Sequence, residues 1–353
     1  MSSLDQIPTP ALLLDLDAFE ANLGTMAARI KLTGKGFRPH AKAHKCVKVA
    51  ERQIAAGASG ICVATLAEAE MMAAAGIGGI LLTSPVADPV KIARIVKTGA
   101  MVVVDHIQQV AWYQDAARAA GRTVEALIDL DVGDHRTGAP PGAPALAVAR
   151  AVDRAPNLKL RGIQAYSVSG SHAGLPDRRR VSEEVFGIAA ETRDAMKRDG
   201  LGAEILSGGS TGTWQVDTQL DDLTELQAGS YALMDLAYRR LGMEFRPAMT
   251  VLTTVISANH AGFVTVDGGF KAFSTDRGYG PETLEYPGSG YRWGGDEFGY
   301  LDVDGCQRKP KLGDRIEFIP PHCDPTVNLY TAIHVRRGER IEEVWPVLSG
   351  QRS

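Results

Sequence analysis

Through the first two thirds of the chain, short β-rich runs alternate with longer stretches whose apolar residues recur every three or four positions. The runs cover 36–40, 59–64, 79–84, 100–105, 124–132, 158–167, 204–207 and 225–234, and they predict buried strands. The longer stretches, 16–30, 47–56, 66–75, 89–97, 107–120, 143–155 and 181–199, predict helices. Gly57, Gly76, Gly99, Gly121 and Gly200 fall near the ends of those helices, where a left-handed cap is wanted. Eight strand candidates with helices between them predict an α/β fold, a parallel (β/α)8 TIM-like barrel rather than an open sheet. After about residue 245 the pattern changes. Segments 249–258, 263–266, 315–319, 330–335 and 340–347 read as strands separated by turns such as Asp304-Gly305 and Arg337-Gly338, with no helical stretch among them. The strand-like segment 10–15 precedes the first helix and can join them. The expected organisation is a barrel over 16–245 and a C-terminal β domain built from 1–15 and 246–353.

At 353 residues the chain has room for a barrel with an appended domain. A net charge of -4 gives no reason to expect nucleic acid or a membrane surface as partner. The longest apolar runs, such as 101–104, fall far short of a membrane span, and the N-terminal Met1-Ser2-Ser3-Leu4-Asp5 lacks the basic start and apolar core of a signal peptide. Four cysteines, none in a closely spaced pair, fit a reducing compartment without disulfides, and the expected location is cytoplasmic.

Chemistry concentrates in three places. Arg38-Pro39-His40-Ala41-Lys42-Ala43-His44-Lys45 packs five cationic or titratable side chains into eight residues just past the first strand candidate. Crowding and desolvation disfavour an ammonium, and a neutral amine is what a Schiff base needs. A solvated basic turn is the alternative. Gly208-Gly209-Ser210-Thr211-Gly212-Thr213 follows the seventh strand candidate, where barrels commonly bind phosphate: glycines let the backbone approach and hydroxyls donate. An ordinary turn is the alternative there. Paired in this barrel order, with Lys42 just past the first strand candidate, the two stretches point to pyridoxal phosphate. Arg136, after the fifth strand, can meet the cofactor ring or form a surface salt bridge; Tyr166 and His172, after the sixth, can overhang the barrel mouth. Of Glu225, Gln227, Gly229 and Tyr231 on the eighth strand, one or two can reach a ligand. The third place is His322-Cys323-Asp324-Pro325-Thr326. If the segment is extended, His322 and Asp324 share a face and can hold an exchangeable Mn²⁺, Mg²⁺ or Zn²⁺. A proline-stiffened polar turn is one alternative, and Cys323 as a zinc thiolate on a non-extended backbone is another.

With these residues the chain resembles the D-threonine aldolase and D-serine dehydratase group of fold-type III pyridoxal phosphate enzymes, relatives of alanine racemase. Gln164-Ala165-Tyr166 and Glu225-Leu226-Gln227-Ala228-Gly229-Ser230-Tyr231 add to the likeness, which runs from about Pro8 to Trp345. The resemblance implies that Lys42 carries the cofactor, that Gly208, Gly209, Ser210 and Thr211 hold its phosphate, and that His40, Arg136, Tyr166, Gln227 and Tyr231 surround it. In this group His-x-Asp accompanies aldol cleavage and His-x-Cys elimination, so His322 and Asp324 imply retro-aldol cleavage of D-β-hydroxy-α-amino acids to glycine and an aldehyde. Dehydration or racemisation on the same cofactor is the alternative, and a cofactor carrier without turnover a third. The group also implies a small amino-acid substrate and a homodimer. Two positions depart from it. Ser167 stands where the aldolases have a histidine base, leaving His172 or metal-held water to substitute, and Phe298 stands where Glu-His-Gly is usual.

Overall fold

The structure, a computed structural model, describes residues 3–350. It divides into two compact units, one made of Met26–Lys42 and Val49–Gly229 and the other of the residues up to Thr25, Ala43–Lys48 and those from Ser230 onward.

All eight expected strands form in the first unit: Gly36–Phe37, Ile61–Val63, Ile80–Leu82, Met101–Val104, Val124–Asp129, Leu158–Ala165, Ile205–Gly208 and Glu225–Leu226. They pair in parallel, the first with the eighth and the others in chain order. Between the first and second strands no ladder forms. A single parallel bridge, His40 to Cys62, closes the ring, supported by Ser59 N to Phe37 O at 2.8 Å and Cys62 N to Pro39 O at 2.9 Å. The eighth run was expected to continue to residue 234. It stops at Leu226, because Ser230–Ala232 turns into a 3-10 helix and Met234 takes φ +57. Tyr231 is therefore on that turn and not on a strand; it is buried and packs edge-to-face on Phe245.

The helices start and stop where local chemistry asks. For Pro89–Thr98, the Asp88 carboxylate accepts from Val90 N, Pro89 opens the first turn, and Gly99 closes the helix at φ +74, a conformation other residues avoid. The helix expected from 181 begins at Leu175, since Pro176 suits a first turn and Arg178, Arg179 and Arg180 hide the periodicity there.

Inside the ring, Cys62, Leu81, Met101, Val103 and Leu127 form an apolar cluster. Towards the strand ends the interior turns polar. Arg38 donates to Glu225 through Nε (2.9 Å) and Nη2 (2.8 Å), and Ser207 Oγ donates to Glu225 Oε1 at 2.7 Å. Gln227 Nε2 donates to Ser207 Oγ at 2.9 Å and Gln164 Oε1 at 3.2 Å, and Gln164 Nε2 donates to Asp129 Oδ1 at 2.8 Å and Thr83 O at 2.9 Å. A buried charge pair survives in low dielectric only with its hydrogen bonds made, and this chain of partners makes them.

The second unit is an eight-stranded, mostly antiparallel sheet in the order Gly290–Trp293, Gly299–Asp302, Phe263–Val266, Met249–Ser257, Ala11–Asp15, Ala332–Arg337, Arg340–Pro346, with Arg315–Phe318 also paired to Met249–Ser257. Ala11–Asp15 pairs antiparallel with Met249–Ser257 and parallel with Ala332–Arg337. Two of these strands, Gly290–Trp293 and Gly299–Asp302, escape the sequence pattern, because the first alternates exposed with half-buried residues and both start on glycine. The expectation of no helix beyond residue 245 is corrected by Cys323–Val327. Among the described residues no helix is long and apolar enough to cross a membrane, and the four cysteines remain thiols.

Candidate active site

At the C-terminal ends of the barrel strands opens a cavity of about 150 Å³ lined by His40, Lys42, Ala64, Thr83, Ser84, Arg136, Gln164, Tyr166 and Gln227. This end of a parallel barrel is where strand-end residues converge. Two cations approach the Tyr166 ring, Lys42 Nζ at 5.7 Å and Arg136 Cζ at 5.2 Å from its centroid. Lys42 N donates to His40 Nδ1 at 3.4 Å, so His40 carries its proton on Nε2 and donates to Thr83 Oγ1 at 3.0 Å. His40 thereby anchors the backbone of Lys42.

Asp129 underlies the cavity, accepting from Gln164 at 2.8 Å and from Thr137 Oγ1 at 2.8 Å in the loop that carries Arg136. Burial drives its carboxyl from 3.8 up to about 6, against those hydrogen bonds, which act to lower it. Between pH about 4 and about 6 the folded protein keeps a proton that the unfolded chain has released. Stability therefore falls as pH rises through that window, by about 3 kcal/mol from this group at about 1.4 kcal/mol per pH unit. Buried Asp217, also raised from 3.8 to about 6, acts in the same sense. Asp129→Asn is expected to flatten the dependence of the thermal midpoint on pH between 4 and 6; an unchanged slope would refute this assignment.

The glycine loop lies beside this cavity. Gly208 pairs with Ala165, and Gln227 N donates to Gly208 O at 2.8 Å. Gly209 holds φ +75, and a Cβ there would meet Asp217 Oδ2 at 2.6 Å and Leu226 Cδ1 at 2.7 Å, so no other residue fits. Ser210 Oγ accepts from Gly212 N at 3.1 Å and bonds Thr213 Oγ1 at 2.9 Å, which preforms the loop; Thr211 is buried. A lysine with flanking cations and a glycine-only turn with two hydroxyl residues suit pyridoxal phosphate.

Ser167 lines a second, small cavity together with Tyr166, Gly209 and Ser210. Its Oγ accepts from Gly170 N at 2.9 Å as the cap of the short helix Val168–Ser171, and bonds Ser169 Oγ at 3.1 Å. Asp134, which the sequence reading did not single out, accepts from Val168 N and Ser169 Oγ and ties this loop to the one bearing Arg136. Burial pushes the Asp134 carboxyl up, but hydrogen bonds from Ser169, Val168 and Ser167 outweigh it and hold the group low. His172 does not line the Lys42 cavity. Its Nδ1 is 2.9 Å from Ser171 Oγ, which lies 3.5 Å from the Tyr166 hydroxyl.

In the other unit, the expected extended segment is instead a helical turn with His322 at its cap. Buried Asp235 accepts from Cys323 N at 2.8 Å, and Thr326 Oγ1 donates to His322 O at 2.8 Å, bending the chain despite Pro320 and Pro321. The turn still brings His322 Nε2 to 3.9 Å from Asp324 Oδ1. Cys323 is fully buried, its Sγ lies 3.2 Å from Asp324 Oδ1, and burial pushes its thiol well up; the non-extended backbone that the zinc-thiolate alternative required is the one that forms. His322 Nδ1 meets Asp276 Oδ2 at 2.8 Å, while Nε2 is 3.3 Å from Arg277 Nη2. Asp276 thus favours the tautomer with the proton on Nδ1 and the lone pair on Nε2, where Arg277 Nη2 donates to it; a histidine held this way by a carboxylate is common in metal sites. Neither Asp276 nor Arg277 had a signal in the sequence. Among the described residues no group of three or more His, Cys, Asp or Glu side chains could hold a metal, so a cation here would rest on two protein ligands.

Fold and cavity define a barrel enzyme of the kind that uses pyridoxal phosphate. Residues 14–237 match the profile described as alanine racemase, N-terminal domain, and the chain belongs to that family; residues 248–336 match a putative serine dehydratase domain. A 3-hydroxy-D-aspartate aldolase of Paracoccus denitrificans (strain Pd 1222) is 36% identical over 97% of this chain and 92% of its own. The crystal structure of a D-threonine aldolase from Filomicrobium marinum superposes with a TM-score of 0.94 at 37% identity, covering 98% of this chain and 95% of that one. A D-threo-3-hydroxyaspartate dehydratase of Delftia sp. (strain HT23) is 29% identical over 98% of both chains. The aldolases among these relatives are pyridoxal phosphate-dependent lyases.

Proposed function

We propose that this protein is a pyridoxal phosphate- and divalent metal-dependent lyase that cleaves D-β-hydroxy-α-amino acids of the D-threonine, D-phenylserine or 3-hydroxy-D-aspartate type to glycine and an aldehyde. The observation that carries it is the His322–Asp324 pair, with Asp276 setting the His322 tautomer. The cofactor supplies an electron sink for the carbanion left on Cα, and a Mn²⁺ or Mg²⁺ ion, or Zn²⁺, supplies Lewis acidity at the β-hydroxyl. Lys42 holds the cofactor by its amine, Tyr166 and Arg136 flank it, and Gly208, Gly209, Ser210 and Thr211 receive the phosphate. Gln227 braces Gln164 and Ser207 beneath. Ser167 is spent on its cap and is no base near neutral pH. We assign the proton traffic of the mouth to His172, reached from Tyr166 through Ser171. The reading includes a homodimer, a cytoplasmic location suited to four thiols, and neither nucleic acid nor membrane as partner.

The test is aldehyde release from D-threonine, D-phenylserine and 3-hydroxy-D-aspartate with Mn²⁺ present and after chelation. Metal-dependent aldehyde with stoichiometric glycine is expected. An oxo acid with ammonia would instead support the dehydratase reading, which the Delftia relative favours, and exchange of enantiomers would support a racemase.

A further inference from the structure

Two hydroxyls of the glycine loop form a chain that ends on a buried acid. Gly212 N donates to Ser210 Oγ at 3.1 Å, Ser210 Oγ and Thr213 Oγ1 lie 2.9 Å apart, and Thr213 Oγ1 donates to Asp217 Oδ2. From the helix Leu175–Arg198, Ser182 Oγ donates to Asp217 Oδ1 at 2.6 Å, and Arg178 is the charge that faces the carboxylate. Ser210, Thr213 and Asp217 line the same small cavity as Gly209 and Ser167. Each hydroxyl has a single proton, and an ionised carboxylate only accepts. While Asp217 is charged, Thr213 therefore places its proton on the carboxylate and Ser210 places its own on Thr213. Ser210 then has only lone pairs to turn elsewhere, which suits no phosphate. A proton on Asp217 Oδ2 reverses the chain: the acid donates to Thr213, Thr213 donates to Ser210, and the Ser210 proton is released. Burial already raises this carboxyl to about 6, against the hydrogen bonds from Ser182, Thr213 and Ser210 N and the charge of Arg178, which act to lower it.

We propose that Asp217 takes up a proton from solvent when a phosphate enters the glycine loop, and that it is thereby the positioning residue that turns the Ser210 hydroxyl to that phosphate. The inference rests on the loop as the receiver of the cofactor's phosphate, and not on the reaction the cofactor serves.

Pyridoxine 5'-phosphate has the ring and phosphate of the cofactor but no aldehyde, so it binds without a bond to Lys42. Its affinity for the cofactor-free full chain is measured by calorimetry for the wild type and for Asp217→Asn, whose amide can donate to Thr213 at every pH. The ligand titrates alike against both proteins, so the ratio of affinities isolates the loop. At about pH 5.5 the two are expected to agree within about twofold; at about pH 8 the wild type is expected to bind at least about tenfold more weakly than the variant. Repeating the titration in buffers of different ionisation heat should count more protons taken up by the wild type. Thr213→Ala cuts the chain short of the carboxylate and carries the same expectation should the asparagine variant not fold. A ratio that is constant with pH overturns the proposal, as does a variant that binds more weakly at every pH, which is what a merely structural Asp217 would give. No binding by the wild type at any pH would sink the cofactor reading itself and this proposal with it.

Discussion

Lys42→Ala is expected to give a folded protein that stays colourless with pyridoxal phosphate and has lost activity by on the order of a thousandfold, the middle of the range for a positioned proton-transfer group. The amine is the attachment point, and the residues that orient it do not depend on it. His40 stays bonded to Thr83, and the Arg38–Glu225 pair stays closed. Thermal stability without cofactor should therefore match the wild type. Absorption in the visible range and retention of the cofactor through gel filtration check the result. A variant that keeps its colour would move the attachment to another lysine and undo the assignment of this cavity.

The second large effect belongs to the other unit. His322→Ala and Asp324→Ala are expected to keep the cofactor band and to release aldehyde at least about a hundredfold more slowly, since Lewis-acid stabilisation of a developing alkoxide is worth several kcal/mol. Chelation of the wild type should do the same and be reversed by Mn²⁺. Asp276→Asn separates binding from chemistry. Losing the partner that fixes the His322 tautomer typically weakens metal binding about 10- to 100-fold, so excess Mn²⁺ should restore its rate. Calorimetric titration of Mn²⁺ reads the affinity directly. Equal rates in wild type and His322→Ala would remove the metal from the reaction.

Much of this was legible in the sequence because parallel barrel strands are buried on both faces, so runs such as 101–104 and 126–128 stand out as apolar. All eight runs became strands, and the mouth collected Lys42, His40, Arg136, Tyr166 and Gln227 as the barrel order implies. What failed was decided by distant partners. The turn at Cys323–Val327 depends on the Asp235 carboxylate, 88 positions away, and Asp276 and Arg277 sit in a loop whose only local features are turn residues. Ser167 was visible as a departure, but its employment as a cap tied to Asp134 needed the loop geometry.

The ring of strands is joined all round by ladders except at one seam, where a lone bridge at His40 and Cys62 and the bond from Ser59 to Phe37 O do the joining. His40 is also the residue that accepts from the Lys42 backbone. Opening the seam therefore disturbs the residue on which the Lys42 backbone leans. Damage to distant parts of the barrel that loosens this hem will first show itself as bleaching, with most of the secondary structure still intact. A cofactor held at Lys42 would then be expected to steady this seam as well, and the thermal midpoint to rise when it binds.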